Sequence, residues 1–388
     1  MTDTRYTTRV IHDLGDVPRE AWNDLLARAS APTPFMRHEY LHALQTSGSA
    51  VPQTGWTAAF VTLWDKQELQ AACPLYLKTH SYGEYVFDWA WANAYEQHGL
   101  TYYPKGVIAV PFTPVPGTRL LARDAAARQA LVCELLRYSQ AQSLSSLHAL
   151  WLGADDHTAC TDQGLMERHT VQFHWHNSEP GHLNFEAFLA TLSQDKRKKI
   201  RQERRKVADA GVHFRTMLGT DMRERDWDFL YRCYVQTYLE HRNAPYLTRD
   251  FFTRMAQDMP QHWVCFVAER EGRPIACSLI GVSELGPQGV AYGRHWGAIE
   301  RVDCLHFEAC YYQPLQWCIE HGLQRFEGGA QGEHKLARAL LPVRASSAHW
   351  LAHPAFADAV ARFLEREGQG VAHYLEDLES RSPLRAQA

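Results

Sequence analysis

AFVTLWDKQELQAACPLYL (residues 59–77) and CFVAEREGRPIACSLIGV (residues 265–282) decide the fold. Each reads as an apolar strand, a charged turn and a second strand, the second holding Ala72-Cys73-Pro74-Leu75 in one stretch and Ala276-Cys277-Ser278-Leu279 in the other. Two alternating apolar runs joined by a short polar turn are the signature of a hairpin. A tryptophan precedes each cysteine at nearly the same interval: Trp22 lies 51 residues before Cys73, and Trp227 lies 50 before Cys277.

The elements around these hairpins repeat in the same order. Helices at Trp22–Ala29 and Met36–Gln45 precede strands Trp56–Trp64 and Leu69–Lys78. A strand at Gly106–Phe112, a helix at Asp124–Gln142 and a strand at Leu147–Leu152 follow. In the other half, helices at Asp226–Glu240 and Arg249–Gln257 precede strands His262–Glu269 and Arg273–Val282. Then come a strand at Gly289–Trp296, a helix at Cys304–His321 and a strand at Leu323–Glu327. The expected class is α/β (α+β): one unit written twice, each copy a mixed, mainly antiparallel sheet flanked by helices, with a late strand–helix–strand crossover. The expected domains are 1–180 and 181–388.

Length agrees, since 388 residues exceed what one core holds. Composition excludes a disordered, collagenous or disulfide-built chain: 45% is hydrophobic and 22% charged. A net charge of −4 argues against a nucleic-acid coat. No apolar run reaches the roughly 18 residues of a membrane span, and the first residues lack a secretory signal. The nine cysteines form no Cys-x-x-Cys pair and sit mostly in apolar stretches. A reduced, cytoplasmic protein is expected. His306 and Cys310 are one helical turn apart, but no third ligand stands at a fixed spacing, so no metal is expected.

The −4 is an average over two unlike parts. QDKRKKIRQERRK (194–206) carries a net +6, and the remainder of the chain carries −10. It belongs to a stretch, Leu183–Ala210, with no Gly or Pro and with apolar residues at helical spacing, which predicts one long helix opening the second domain. Such a run is either a solvated face or a docking rail for a polyanion such as tRNA, with Lys196, Arg197, Arg201, Arg204 and Arg205 as the contacts. No aromatic residues interleave with the charges, so base reading is not expected.

Several long motifs carry a resemblance: FDWAWANAYEQHGLTYYPKG (87–106), AVPFTPVPGTRLL (109–121), FHWHN (173–177), LSQDKRKKIRQERRKV (192–207), YGRHWG (292–297) and FEGGAQGEHKLARALLPV (326–343). Together they resemble the bacterial FemAB-like "peptidoglycan biosynthesis/recognition" family, relatives of the GCN5-related N-acyltransferases (GNAT). The resemblance implies two tandem GNAT-like acyltransferase folds and transfer of an acyl or aminoacyl group to an amine. The co-substrate would be acyl-CoA or aminoacyl-tRNA, with no covalently bound cofactor. The Gly-rich turn by which acetyl-CoA-type transferases bind the cofactor's pyrophosphate is missing. Pro114–Arg119 has one Gly and Ala298–Cys304 none, which weighs against coenzyme A.

Amide formation needs a base for the amine, donors for the oxyanion and an acid for the leaving group. Glu327–Lys335 follows a strand and is rich in Gly. Glu333 or His334 is the candidate base, with His295 of YGRHWG a further catalytic candidate. Gln331 or backbone N–H groups would bind the oxyanion. Gly328, Gly329 and Gly332 permit close approach of a ligand, while Lys335 and Arg338 would hold an anionic group. Tyr292, Arg294 and Trp296, beside His295 in YGRHWG, form a second group of candidate binding residues. In the first copy, Asp88, Trp91, Tyr103 and Lys105 make an aromatic, charged wall, joined by Phe112, Thr113 and Arg119 of the Pro-rich stretch. His174 and His176 are expected to be structural.

No Gly-x-Ser-x-Gly elbow, Walker loop, dinucleotide fingerprint or His-Glu-x-x-His helix occurs. The expected function is therefore N-acyl or aminoacyl transfer from an activated donor to an amine, on a cell-wall precursor or an amino metabolite. The alternatives are a binding protein that kept the fold and lost the chemistry, and an RNA- or membrane-surface-associated factor using the basic helix. The sequence does not choose between monomer and homodimer.

Overall fold

The structure, a computed structural model, describes residues 6–329 and 332–385. The chain folds as two compact units. The first is Met1–Thr170 with Arg344–His373, and the second is Val171–Val343 with Tyr374–Ala388. This differs from the expected cut at 180/181. The chain leaves the first unit ten residues earlier and returns to it near its end, because the strand Leu341–Leu351 supplies residues 346–351 to the first unit's sheet.

In the second unit the hairpin is intact. Strands Trp263–Arg270 and Arg273–Val282 pair antiparallel with Val267 opposite Cys277, across a turn at Glu271 and Gly272, both at positive φ. In the first unit Val61 faces Cys73 in the same way, so the two hairpins share a register. Here, however, the expected strands 56–64 and 69–78 are each cut in two. Proline at 74 has no N–H to give the ladder, and the hairpin bends there. Phe60–Asp65 and Glu68–Cys73 go to a four-stranded sheet with Thr7–Ile11 and Leu121–Ala122. Trp56–Ala58 and Leu75–Lys78 go to another sheet, continued by Lys105–Ile108, Ser146–Leu152 and residues 346–351.

Each unit contains one parallel pair joined through a helix. In the first, Lys105–Ile108 runs parallel to Ser146–Leu152, and the helix Ala125–Ala141 between them packs Leu131, Val132 and Leu135 on the hairpin's Val61, Leu63 and Ala71. In the second, Val290–Ala298 runs parallel to Arg325–Glu327, which in turn pairs with the end of Met166–His176. That crossover, expected as one helix over 304–321, is Leu305–Phe307, a π-helical turn Glu308–Tyr312, and Gln313–Glu320. Pro314 cannot donate to the carbonyl four residues back, and the widened turn lies immediately before it.

The expected 183–210 helix is also two pieces, Phe185–Ala190 and Gln194–Asp209. Leu192 between them is fully buried, and its neighbours bond to the C-terminal segment: Ser193 N to Pro383 O at 2.9 Å and Arg385 N to Thr191 O at 2.9 Å. Burying one leucine and pairing its backbone outside the helix interrupts a sequence with no breaker residue. Among the described residues no helix is long and apolar enough to cross a membrane.

Candidate active site

The two parallel strands of the second unit pair over only three residues, Val290–Tyr292 against Arg325–Glu327. Beyond Tyr292, which is buried at the last paired position, they part. The register of Val290–Ala298 against its other neighbour also shifts there, taking up Arg294 as a β-bulge. Bulges of this kind re-aim side chains and often border reactive sites. The glycines at the parting point leave little room for a side chain or adopt a left-handed backbone. A Cβ on Gly328 would overlap Leu340 Cδ2, and Gly329 has φ +79°.

Side chains from three elements meet where the strands part. The Trp296 ring lies 5.4 Å from that of His306, which in turn lies 5.7 Å from Tyr311 and 6.1 Å from His334, centroid to centroid. Tyr311 Oη and His334 Nε2 are hydrogen bonded at 2.9 Å. Lys335 Nζ donates to Gly329 O at 2.7 Å, and Arg338 Nη1 donates to His334 O at 2.6 Å. Burial is the first cause that lowers His306, to about 4, and His334 below the ordinary imidazole range, with Arg338 and Lys335 adding to both. Burial likewise brings Lys335 down to about 8, and it pushes the Tyr311 phenol up. At neutral pH the site therefore holds neutral imidazoles beside a protonated phenol.

His334 is exposed and Lys335 is buried, so of the two the imidazole is open to a substrate. Arg338 is not available to hold an anion. Its Nη2 reaches Glu203 at 2.9 and 3.1 Å, its guanidinium lies 3.6 Å over the Phe307 ring, and Tyr312 Oη donates to the same Glu203. Removing one partner of such a buried pair costs about 3–5 kcal/mol, so this arginine fixes the loop carrying His334. Glu333 is turned to the exposed side, accepting from Tyr374 Oη at 2.7 Å and Arg381 at 3.4 Å. Gln331, the expected oxyanion donor, lies outside the described residues.

His295 is on the opposite face of the strand from Trp296. Its ring packs edge-on against Tyr234 at 5.0 Å and Phe252 at 5.6 Å. Burial, then Arg294, holds it well below the ordinary value, and its Nε2 is enclosed without a hydrogen bond among the described residues. It is separated from the His334 group by the sheet itself. His174 pairs across the sheet with Glu327 and bonds Gln172 at 3.2 Å, a structural role.

The first unit is different at the corresponding place. Its Pro-rich stretch folds back so that Gly117 bridges to Leu152, and Arg119 is fully buried, donating to Val115 O and, at 3.4 Å, to Thr118 O. Thr113 is buried beside Tyr40 Oη at 3.2 Å, and Phe112 packs on Trp56 at 5.4 Å. These three hold a loop instead of facing a donor. Lys105, Asp88 and Glu84 form an enclosed ion cluster with Nζ–O distances of 2.5 and 2.8 Å, and Trp91 covers His148 and His349 beside it. Tyr103 reaches the same cluster through Ser81 at 2.9 Å. Burial outweighs Lys105 and pushes Glu84 up to about 7.

On the basic helix, Arg204 faces inward, bonded to Glu308 at 3.1 and 3.2 Å and to Gln316 at 3.0 Å. Arg201 pairs with Glu186 at 2.5 Å, and Arg197 points to Ala190 O at 3.5 Å. The exposed cations are Lys198, Lys199, Arg201, Arg205 and Lys206. Among the described residues no three His, Cys, Asp or Glu side chains group as metal ligands.

Sequence reasoning missed Tyr311 and Glu203. The sole hint of Tyr311 was the Tyr-Tyr pair ahead of Pro314, whose π-helical turn sets one ring toward His334 and the other toward Glu203.

Residues 13–386 match the sequence profile of the FemAB-like family, described as peptidoglycan biosynthesis/recognition. The chain belongs to that family. No curated protein sequence matches it. Among solved structures, FemX is similar at TM-score 0.55 and 9% identity, covering 91% of this chain and 100% of that one. The L-PGS of Bacillus licheniformis is similar at 0.51 and 12%, covering 89% and 97%. The C-terminal domain of a putative lysylphosphatidylglycerol synthetase from Agrobacterium fabrum is similar at 0.52 and 11%, covering 89% and 95%. At such identities the likeness is one of fold, and this FemAB-like chain is built as two α/β units, each with its own hairpin and strand–helix–strand crossover.

Proposed function

We propose that this FemAB-like protein is an N-acyltransferase, moving an acyl or aminoacyl group from acyl-CoA or aminoacyl-tRNA to an amine, with the chemistry in the second unit. The observation that carries this is the parting of the two parallel strands beside the Trp296, His306, Tyr311 and His334 group. A donor thioester or ester laid along the parted strand would present its carbonyl there. The acceptor nitrogen attacks that carbon while His334, neutral at pH 7, takes its proton. The attack gives a tetrahedral intermediate. Collapse breaks the bond to the thiol sulfur or ribose oxygen, and Tyr311, whose phenol stays protonated, supplies the proton to that leaving group.

The family's description favours a cell-envelope precursor as the bearer of that amine, modified from the cytoplasmic side where both donors are made. The purified chain is to be given a panel of acyl-CoA donors and charged tRNAs with amine acceptors, scoring thiol release or tRNA deacylation. Acceptor-dependent release from one donor class is expected. No release across the panel, with donor binding intact, would make the protein a binding module.

A further inference from the structure

A cavity of about 390 Å³ lies in the first unit, on the side of the fold formed by the end of the helix Ala125–Ala141 and the start of the strand Ser146–Leu152. That is at the small end of the range for ligand pockets. Its walls are flat and apolar: Trp350, Leu144 and the Tyr95 ring, itself braced 5.1 Å from Tyr102 and 4.2 Å from Phe356. Its rim is polar, with Thr101, Gln140, Ser143, Ser145 and His353, and no Lys, Arg, Asp or Glu lines it. Among the described residues, the side chains of Thr101, Gln140 and Ser143 and the indole N–H of Trp350 make no hydrogen bonds.

We infer that this cavity binds a neutral saccharide. A pyranose has one face of C–H groups and an edge of hydroxyls that both donate and accept. The apolar wall suits the face, while the amide, two hydroxyls and indole N–H suit the edge. A nucleotide would stack as well, but its phosphates call for Lys or Arg, and the lining offers one imidazole, His353. A carboxylate or ammonium ligand would be desolvated without a counter-charge. Ser143 sits at φ +52° at the rim, in a turn held by its N–H to Gln140 O at 3.0 Å and Leu144 N to Ser139 O at 2.9 Å, so the hydroxyl and amide are presented from a fixed backbone. The cavity lies wholly within the first unit and serves whether or not the second unit transfers acyl groups.

The test is calorimetric titration of the full chain with chitotriose and cellotriose, with adenosine and glucose 6-phosphate as controls. Saturable binding of at least one trisaccharide is expected, with neither control competing. Trp350→Ala should weaken it at least about tenfold, the equivalent of about 1.4 kcal/mol. Because Trp350 is half-buried and its loss could unfold the unit, the exposed double variant Gln140→Ala/Ser143→Ala is measured beside it and should weaken binding several-fold with an unchanged melting curve. Failure of both trisaccharides to bind, preferential binding of adenosine or glucose 6-phosphate, or full affinity in the double variant would each overturn the assignment.

Discussion

His334 and Tyr311 divide a proton-transfer task at one hydrogen bond of 2.9 Å. The imidazole sits below its ordinary value through partial desolvation and two nearby cations, so it remains an unprotonated acceptor at pH values where a free histidine would be half charged. His334→Ala should lower kcat by about 10²–10³, and Tyr311→Phe by a smaller factor that falls on the leaving-group step. The acid limb of kcat/KM should lie below pH 6.5, because protonating His334 removes the base and its folded value is depressed. A limb at or above that pH would assign the base elsewhere. Glu333→Gln should leave the rate near that of the wild type, since its carboxylate is engaged with Tyr374 and Arg381.

At the scale of elements, the helix Gln194–Asp209 turns Ile200, Glu203 and Val207 inward and leaves a line of cations outside. If a charged tRNA is the donor, replacing Lys198, Lys199 and Arg205 by Gln should weaken it and flatten the slope of log affinity against log salt by up to about three, one for each lost phosphate contact. Acyl-CoA kinetics would stay unchanged. An unaltered salt slope would show the face to be merely solvated. Arg204 would be a poor choice for that experiment, because it holds Glu308 and its loss would disturb the π-helical turn.

How far such elements could be read in advance depended on where their cause lay. The hairpins, the crossovers and the nearness of Trp296 and His334 to a strand end are written in local period and composition. The break at Leu192 is not, because it comes from pairing with residues some 190 positions later. Nor could Arg119 and Arg338 be told from ligand-binding arginines, since a guanidinium satisfied by carbonyls or a buried glutamate has the same sequence as one awaiting an anion.

Over the whole molecule, buried histidines set the response to acid. Burial, chiefly, brings His148 and His174 to about 3 and holds His349 well below its ordinary value. Between pH 6.5 and 3 the unfolded chain binds protons that the folded chain excludes. Each such histidine then contributes stability that is complete above pH 6.5 and falls by about 1.4 kcal/mol per unit on acidification. Glu84, raised to about 7, acts with the opposite sign between 4.5 and 7 and offsets one histidine there. Urea midpoints should therefore drop modestly from pH 6.5 to 4.5 and more steeply below it, as followed by tryptophan fluorescence. A flat profile would mean that these imidazoles admit protons or water.

The return of residues 346–351 to the first unit bears on how the protein is made. A ribosome delivers chain in one direction. The strand Ser146–Leu152 therefore waits for a neighbour synthesised almost two hundred residues later, with His148 lacking its bond to His349 meanwhile. The second unit waits too, since residues 383–385, which bond to Thr191 and Ser193, are made later still. A nascent chain therefore exposes an open sheet edge in its N-terminal half until translation is nearly done, a liability that chaperones commonly cover.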